Sequence, residues 1–153
     1  AADGGSIYFN SDRSGGPQVY QAPATGGASV RLTFQGTYNA RPRVSPDGQR
    51  LAVVHNDNGS YRIATVRAES GDTFVLSRGR LDESPSFAPN GSTLIYATRD
   101  GDRGVLATVS TDGLVRQRLD SSGRDVREPV WGPLRESRLK AARRDPVTGS
   151  ENP

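Results

Sequence analysis

Three short polar segments carry the side chains best suited to chemistry: TYNAR at 37–41, RLDES at 80–84 and GRDVRE at 123–128. Within them Tyr38, Asn39, Arg41, Asp82, Glu83, Arg127 and Glu128 are the candidate partner-binding residues. Guanidinium forks and carboxylates on loops make charge-assisted hydrogen bonds, the chemistry of protein–protein recognition. Each is equally able to serve as a solvated loop residue or to pair with a neighbouring charge. Carboxylates grouped around a channel could also hold Ca²⁺ through oxygen ligands, but the sequence fixes no coordination set, and no other cofactor is expected.

Catalytic motifs are missing. The chain has no cysteine and one histidine, and it contains no G-x-S-x-G elbow, H-E-x-x-H pair, P-loop or dinucleotide fingerprint. His55 falls at a strand end and reads as an ordinary edge residue. Asp47 and Asn90 read as turn-closing side chains, and Trp131 as core between sheets.

The three segments recur because their surroundings recur. Pro42, Pro85 and Pro129 are 43 and 44 residues apart, and Pro46, Pro89 and Pro133 repeat those steps. Leu32, Leu76 and Leu119 follow the same period, as do the apolar runs that start at Ile7, Leu51 and Leu94. Each unit has a short strand, a Pro-Asp-Gly or Pro-Asn-Gly turn, an apolar strand, a polar glycine turn, a third strand, a further glycine turn and a fourth strand. Four short antiparallel strands at this spacing predict an all-β fold, a β-propeller of four-stranded blades. The runs LAVV and LIYA are continuous where a half-exposed strand would alternate, so both of their sheet faces are expected to be buried. Loops leading into each blade's innermost strand converge on the channel mouth, which is where the three polar segments fall.

The units divide into a partial blade at 6–35, full blades at 37–78 and 80–120, the inner strand of a further blade at 125–134, and a basic tail at 135–153, expected to be flexible. About three blades do not close a ring. The remainder of the propeller, or another copy of the chain, is expected to complete it. The formal charge is +3, with 15 Arg against 14 acidic residues in 1–134 and the acids interleaved among them. That pattern lacks the basic footprint of a nucleic-acid binder. No stretch is long and apolar enough to insert into a membrane.

The phrase S-P-D-G followed by a strand resembles the propeller repeats of the TolB family, the periplasmic component of the bacterial Tol–Pal system. SDRSGGPQVYQAPATGGASVRLTFQGTYN (11–39), LDESPSFAPNGSTLIYA (81–97), VSTDG (109–113) and EPVWGP all look like that family's closing blades in order. The resemblance implies an N-terminal α/β domain and a six-bladed propeller in the whole protein, of which this chain holds the later part. It implies a non-enzymatic scaffold in the periplasm that binds Pal, the peptidoglycan-associated lipoprotein, over the channel mouth. Outer-membrane integrity and cell division would depend on that contact, and imported colicins would exploit it. Contacts with other Tol proteins would run through regions absent here. Similar S-P-D-G propellers gate prolyl-oligopeptidase-like and tricorn-type serine peptidases, which is the alternative function.

Overall fold

A computed structural model describes residues 4–120 and 122–133. It contains eleven strands in three antiparallel sheets and, among the described residues, no helix. The first sheet has the order β1 (Ser6–Ser11), β2 (Gln18–Pro23), β3 (Val30–Arg31). The second runs β4 (Tyr38–Val44), β5 (Arg50–Asp57), β6 (Ser60–Arg67), β7 (Thr73–Val75). The third runs β8 (Glu83–Phe87), β9 (Thr93–Asp100), β10 (Arg103–Ser110), β11 (Arg116–Leu119). Chain order equals spatial order in all three, which is the meander of a propeller blade.

Local chemistry forms the hairpins. At Ser45–Gly48 the Gly48 amide donates to the Ser45 carbonyl at 2.9 Å, with Gly48 at φ 74°. The Asp47 carboxylate accepts from the Ser45 hydroxyl and, at 3.0 Å, from the Gln49 amide. Gly91 donates to the Ala88 carbonyl at 2.8 Å in the equivalent turn, and Asn90 accepts from the Ser92 amide at 3.1 Å. The proline presets the turn, the side-chain oxygen closes it, and glycine takes the left-handed position.

Burial on both faces then stacks the sheets. In β5, Leu51 and Val53 pack with Val19, Leu32, Ala64 and Val66 towards the first sheet. Ala52 and Val54 pack with Ile63, Leu76, Phe87, Leu94, Tyr96, Ala107 and Val109 towards the third. Leu51, Val53, Ile63 and Leu94 are all at 0% exposure, and each buried side chain of this size contributes about 1.5–3 kcal/mol. The outermost strands β3 and β7 end early, and hydroxyls continue their ladders. The Val19 amide donates to Thr33 Oγ1 at 2.9 Å and the Ile63 amide to Ser77 Oγ at 2.8 Å.

One hydrogen bond repeats between units. The amides of Asn39, Asp82 and Val126 donate to the carbonyls of Pro17, Tyr61 and Gly104 at 2.8, 2.9 and 3.1 Å. Tyr61 and Gly104 stand in β6 and β10 and Pro17 directly precedes β2, so each bond ties the start of one unit to the unit before it.

Two expectations need correction. Residues 125–133 carry no strand, and Trp131 is 40% exposed, outside the core. An inner strand needs the second strand of its own blade as partner, as β4 needs β5, and none pairs with it among the described residues. The Val126 amide and a 3.1 Å bond from the Trp131 amide to Ser86 Oγ attach the segment to the third sheet. The tail at 135–153 lies outside the described residues.

Candidate functional site

The three polar lead-ins share an unusual backbone. Arg41, Ser84 and Glu128 have φ of 56°, 55° and 52°. These are left-handed residues with a Cβ, each costing roughly 1–2 kcal/mol. Each also precedes a proline, which disfavours any but extended geometry. The pairing register of β4 shifts between Ala40 and Arg43, and that of β8 between Glu83 and Ser86, so the strained residue sits inside a β-bulge in both. Bulges re-aim side chains, and strain of this kind gathers at functional positions. Here Arg41, Ser84 and Glu128 line one trough of about 350 Å³, together with Arg43, Pro85, Ser86, Pro129 and Val130. The innermost segments of three successive units thus face a common space.

Beside it lies a second cleft of about 250 Å³ between the second and third sheets, lined by Tyr38, Arg41, Val54, Tyr61, Leu81, Asp82 and Glu83. The Tyr38 and Tyr61 rings meet edge to face with centroids 5.3 Å apart. Leu81 is 41% exposed. Apolar rings, an exposed leucine and charges of both signs suit a peptide surface better than a small polar substrate. Arg41 borders both spaces.

The seven sequence candidates separate into three groups. Tyr38, Arg41, Glu83 and Glu128 line these spaces. Asn39 and Asp82 are at 0% exposure and cannot meet a partner directly. Asn39 Nδ2 donates to Gln35 O at 2.8 Å and Gln18 Oε1 at 2.9 Å, while its Oδ1 lies 2.8 Å from His55 Nδ1. Asp82 accepts from the Gly79 amide at 3.0 Å and from the Thr98 hydroxyl. Both hold the lead-in loop onto its sheet, because a loop that turns inward must satisfy its own amides and carbonyls. Arg127 is drawn to Asp125 by an ion pair at 3.1 Å. The Gly104 amide, then Arg127, holds the Asp125 carboxyl below its ordinary pKa.

His55 is not an edge residue. It is 4% exposed beneath Gly36, and burial, opposed by Asp57 and aided by Arg62, lowers its pKa. Sequence reasoning missed Ser84, Arg43, Tyr61 and Leu81. The period itself could have found Ser84, which stands 43 residues after Arg41 and 44 before Glu128. Among the described residues no three His, Cys, Asp or Glu side chains gather to hold a metal ion.

Comparison with known proteins agrees with this architecture. The family model of the TolB beta propeller domain matches residues 1–135. The Tol-Pal system protein TolB of Xanthomonas campestris pv. campestris (strain B100) is 56% identical over 117 residues, covering 75% of this chain and 27% of that protein. Its counterpart in Xylella fastidiosa (strain Temecula1) is 54% identical over 114 residues, 73% of this chain and 26% of that protein. The crystal structure of TolB from Acinetobacter baumannii superposes with a TM-score of 0.81 at 45% identity, covering 88% of this chain and 34% of that one. The chain therefore spans about a quarter of the length of the curated relatives it matches. It belongs to the TolB β-propeller family.

Proposed function

We propose that this chain is part of the propeller of a periplasmic Tol–Pal component, and that its channel-mouth face binds a Pal-type peptidoglycan-associated lipoprotein. The role is that of a non-enzymatic scaffold supporting outer-membrane integrity and cell division. The observation that carries the reading is the left-handed residue before proline that recurs at Arg41, Ser84 and Glu128, where side chains of successive units line one trough. The neighbouring Tyr38–Tyr61 cleft would take an apolar side chain of the partner, with Arg41 and Glu83 pairing its charges. Asn39 and Asp82 hold this surface in shape. Family membership favours this reading over a peptidase-gating propeller.

The test is calorimetric titration of the full chain with the periplasmic domain of a Pal lipoprotein. The double variant Arg41→Glu, Glu83→Lys should weaken binding at least about tenfold, because two charge-assisted contacts become repulsive. Its β-rich circular dichroism should match that of the parent. Unchanged affinity would remove the channel-mouth assignment.

A further inference from the structure

A different cleft, outside the trough, carries a second site. It opens between the second and third sheets and has a volume of about 270 Å³. Arg78 borders it from the loop after β7, and Arg116 and Arg118 from β11, with Gln117, Thr98 and Tyr96 completing the wall. Three guanidinium groups around so small a space repel one another unless an anion joins them.

Their existing partners leave most of that charge unspent. Arg116 donates through Nε to the Leu76 carbonyl at 2.8 Å, a bond that orients the group without neutralising it. Arg118 lies 3.4 Å from Asp100, which it shares with Arg103 at 3.6 Å. Those pairs are about half exposed, so each is weak. Arg78 has neither an ion pair nor a hydrogen bond among the described residues. Beneath them, the Asp82 carboxylate is turned to the Gly79 amide and the Thr98 hydroxyl. Four arginines thus face two carboxylates, and the cleft is net positive.

Its floor supplies an independent sign. Tyr96 is only 5% exposed, and among the described residues no buried side-chain nitrogen or oxygen lacks a hydrogen-bond partner, so its hydroxyl, which has none among them, opens into the cleft that the residue lines. A phenol whose ring is buried and whose hydroxyl alone reaches the cleft can donate one further hydrogen bond to a group bound there. A ligand that accepts hydrogen bonds from several directions fits this lining of donors. Three forks from two separate elements suit the three oxygens of a phosphoryl group better than a planar carboxylate, which one arginine can satisfy in bidentate fashion.

We infer that the cleft formed by Arg78, Arg116, Arg118 and the Tyr96 hydroxyl binds a phosphoryl group. Two sources share that chemistry, a free phosphate and a phospholipid headgroup.

The test uses the full chain in two arms. In the first, inorganic phosphate is titrated at constant ionic strength against a chloride and an acetate control, and affinity is read by calorimetry. In the second, the chain is sedimented with vesicles of phosphatidylglycerol or of phosphatidylcholine. Saturable phosphate binding that Arg78→Gln weakens at least about fivefold supports the site with a free phosphate as ligand. Sedimentation with phosphatidylglycerol vesicles that Arg78→Gln abolishes supports it with a headgroup as ligand. Arg78 is exposed and has no partner to lose among the described residues, so this variant should fold. Tyr96→Phe should weaken whichever binding is seen by about twofold to fivefold. Acetate binding as tightly as phosphate overturns the inference. So does an Arg78→Gln variant that binds like the parent, or no binding in either arm.

Discussion

The lead-ins to β4 and β8 occupy equivalent places 43 residues apart, yet they are fastened by different chemistry. At the first, neutral Asn39 joins Gln18, Gln35 and His55. At the second, Asp82 takes the Gly79 amide and the Thr98 hydroxyl. His55 and Thr98 are themselves repeat equivalents, as are Gly36 and Gly79. The backbone problem is common to both sites: a loop turning inward must seat one buried polar side chain under a glycine. The solutions differ in charge and in ability to titrate. Scaffold geometry is therefore set by position in the repeat, while the electrical character of each lead-in is free to vary.

The largest effect that would break this equivalence lies at the two glycines. A Cβ on Gly36 would fall 2.5 Å from His55 Cε1 and 2.6 Å from the Asn56 carbonyl oxygen, on a residue at φ +73°. Gly36→Ala should cost roughly 3–4 kcal/mol, combining left-handed strain with overpacking. The three atoms nearest a Cβ on Gly79 all belong to the Asp82 carboxyl group, a side chain and not backbone. Asp82→Ala should therefore partly relieve Gly79→Ala in a double-mutant cycle read by urea unfolding. His55→Ala should not rescue Gly36→Ala, because the Asn56 carbonyl stays in place. Full rescue there would mean that the two lead-ins fail in the same way.

The next effect sharpens the contrast through pH. Asn39 Nδ2 is used as a donor twice, so its Oδ1 faces His55 and Nδ1 of the ring carries the proton. Burial lowers the His55 pKa from 6.5. The unfolded chain then takes up a proton first as pH falls below about 6.5. Stability should be level above that pH and decline beneath it, until the folded imidazole also titrates. Asn39→Asp places a carboxylate against Nδ1 and should raise the folded pKa. Its contribution then reverses: it is full below about 6.5 and is lost as pH rises through the raised value. Urea midpoints between pH 5 and 8 should thus slope in opposite directions for parent and variant. Parallel profiles would show that His55 is not the titrating group.

The repeat made the blades, their turns and the doubly buried strands readable, because turn chemistry and apolar runs are local and return with one period. LAVV and LIYA show this well: their continuity in sequence is their burial on two faces in space. Asn39 and Asp82 misled because polarity in a loop looks the same whether the side chain faces a partner or its own backbone. His55 misled for a related reason. Its burial comes from Gly36 and Asn39, 19 and 16 residues away in sequence, and no local pattern records that contact. Trp131 has the right period for a core residue, but its burial would require neighbouring strands that the described residues do not provide. The strained positions at Arg41, Ser84 and Glu128 left one trace, a proline after each of the three, and that trace does not reveal the sign of φ.

The smallest effect concerns the turns at the other end of the blades, where the same contrast of acid and amide returns. Asp47 and Asn90 are 43 residues apart and close equivalent turns. The Ser45 hydroxyl, then the Gln49 amide, holds the Asp47 carboxyl below 3.8. A depressed carboxylate contributes stability that is complete above its unfolded value and disappears as pH falls through the folded one. Asp47→Asn keeps an oxygen for the turn but removes this titration, so at pH 7 it should lose less than about 1 kcal/mol, as befits an exposed group. The gap between parent and variant should then narrow as pH falls from 5 towards 2, whereas Asn90→Ala should show a constant deficit across that range. If the Asp47→Asn gap were also constant, the carboxylate would act there only as a hydrogen-bond acceptor, and the two turns would be chemically as well as geometrically equivalent.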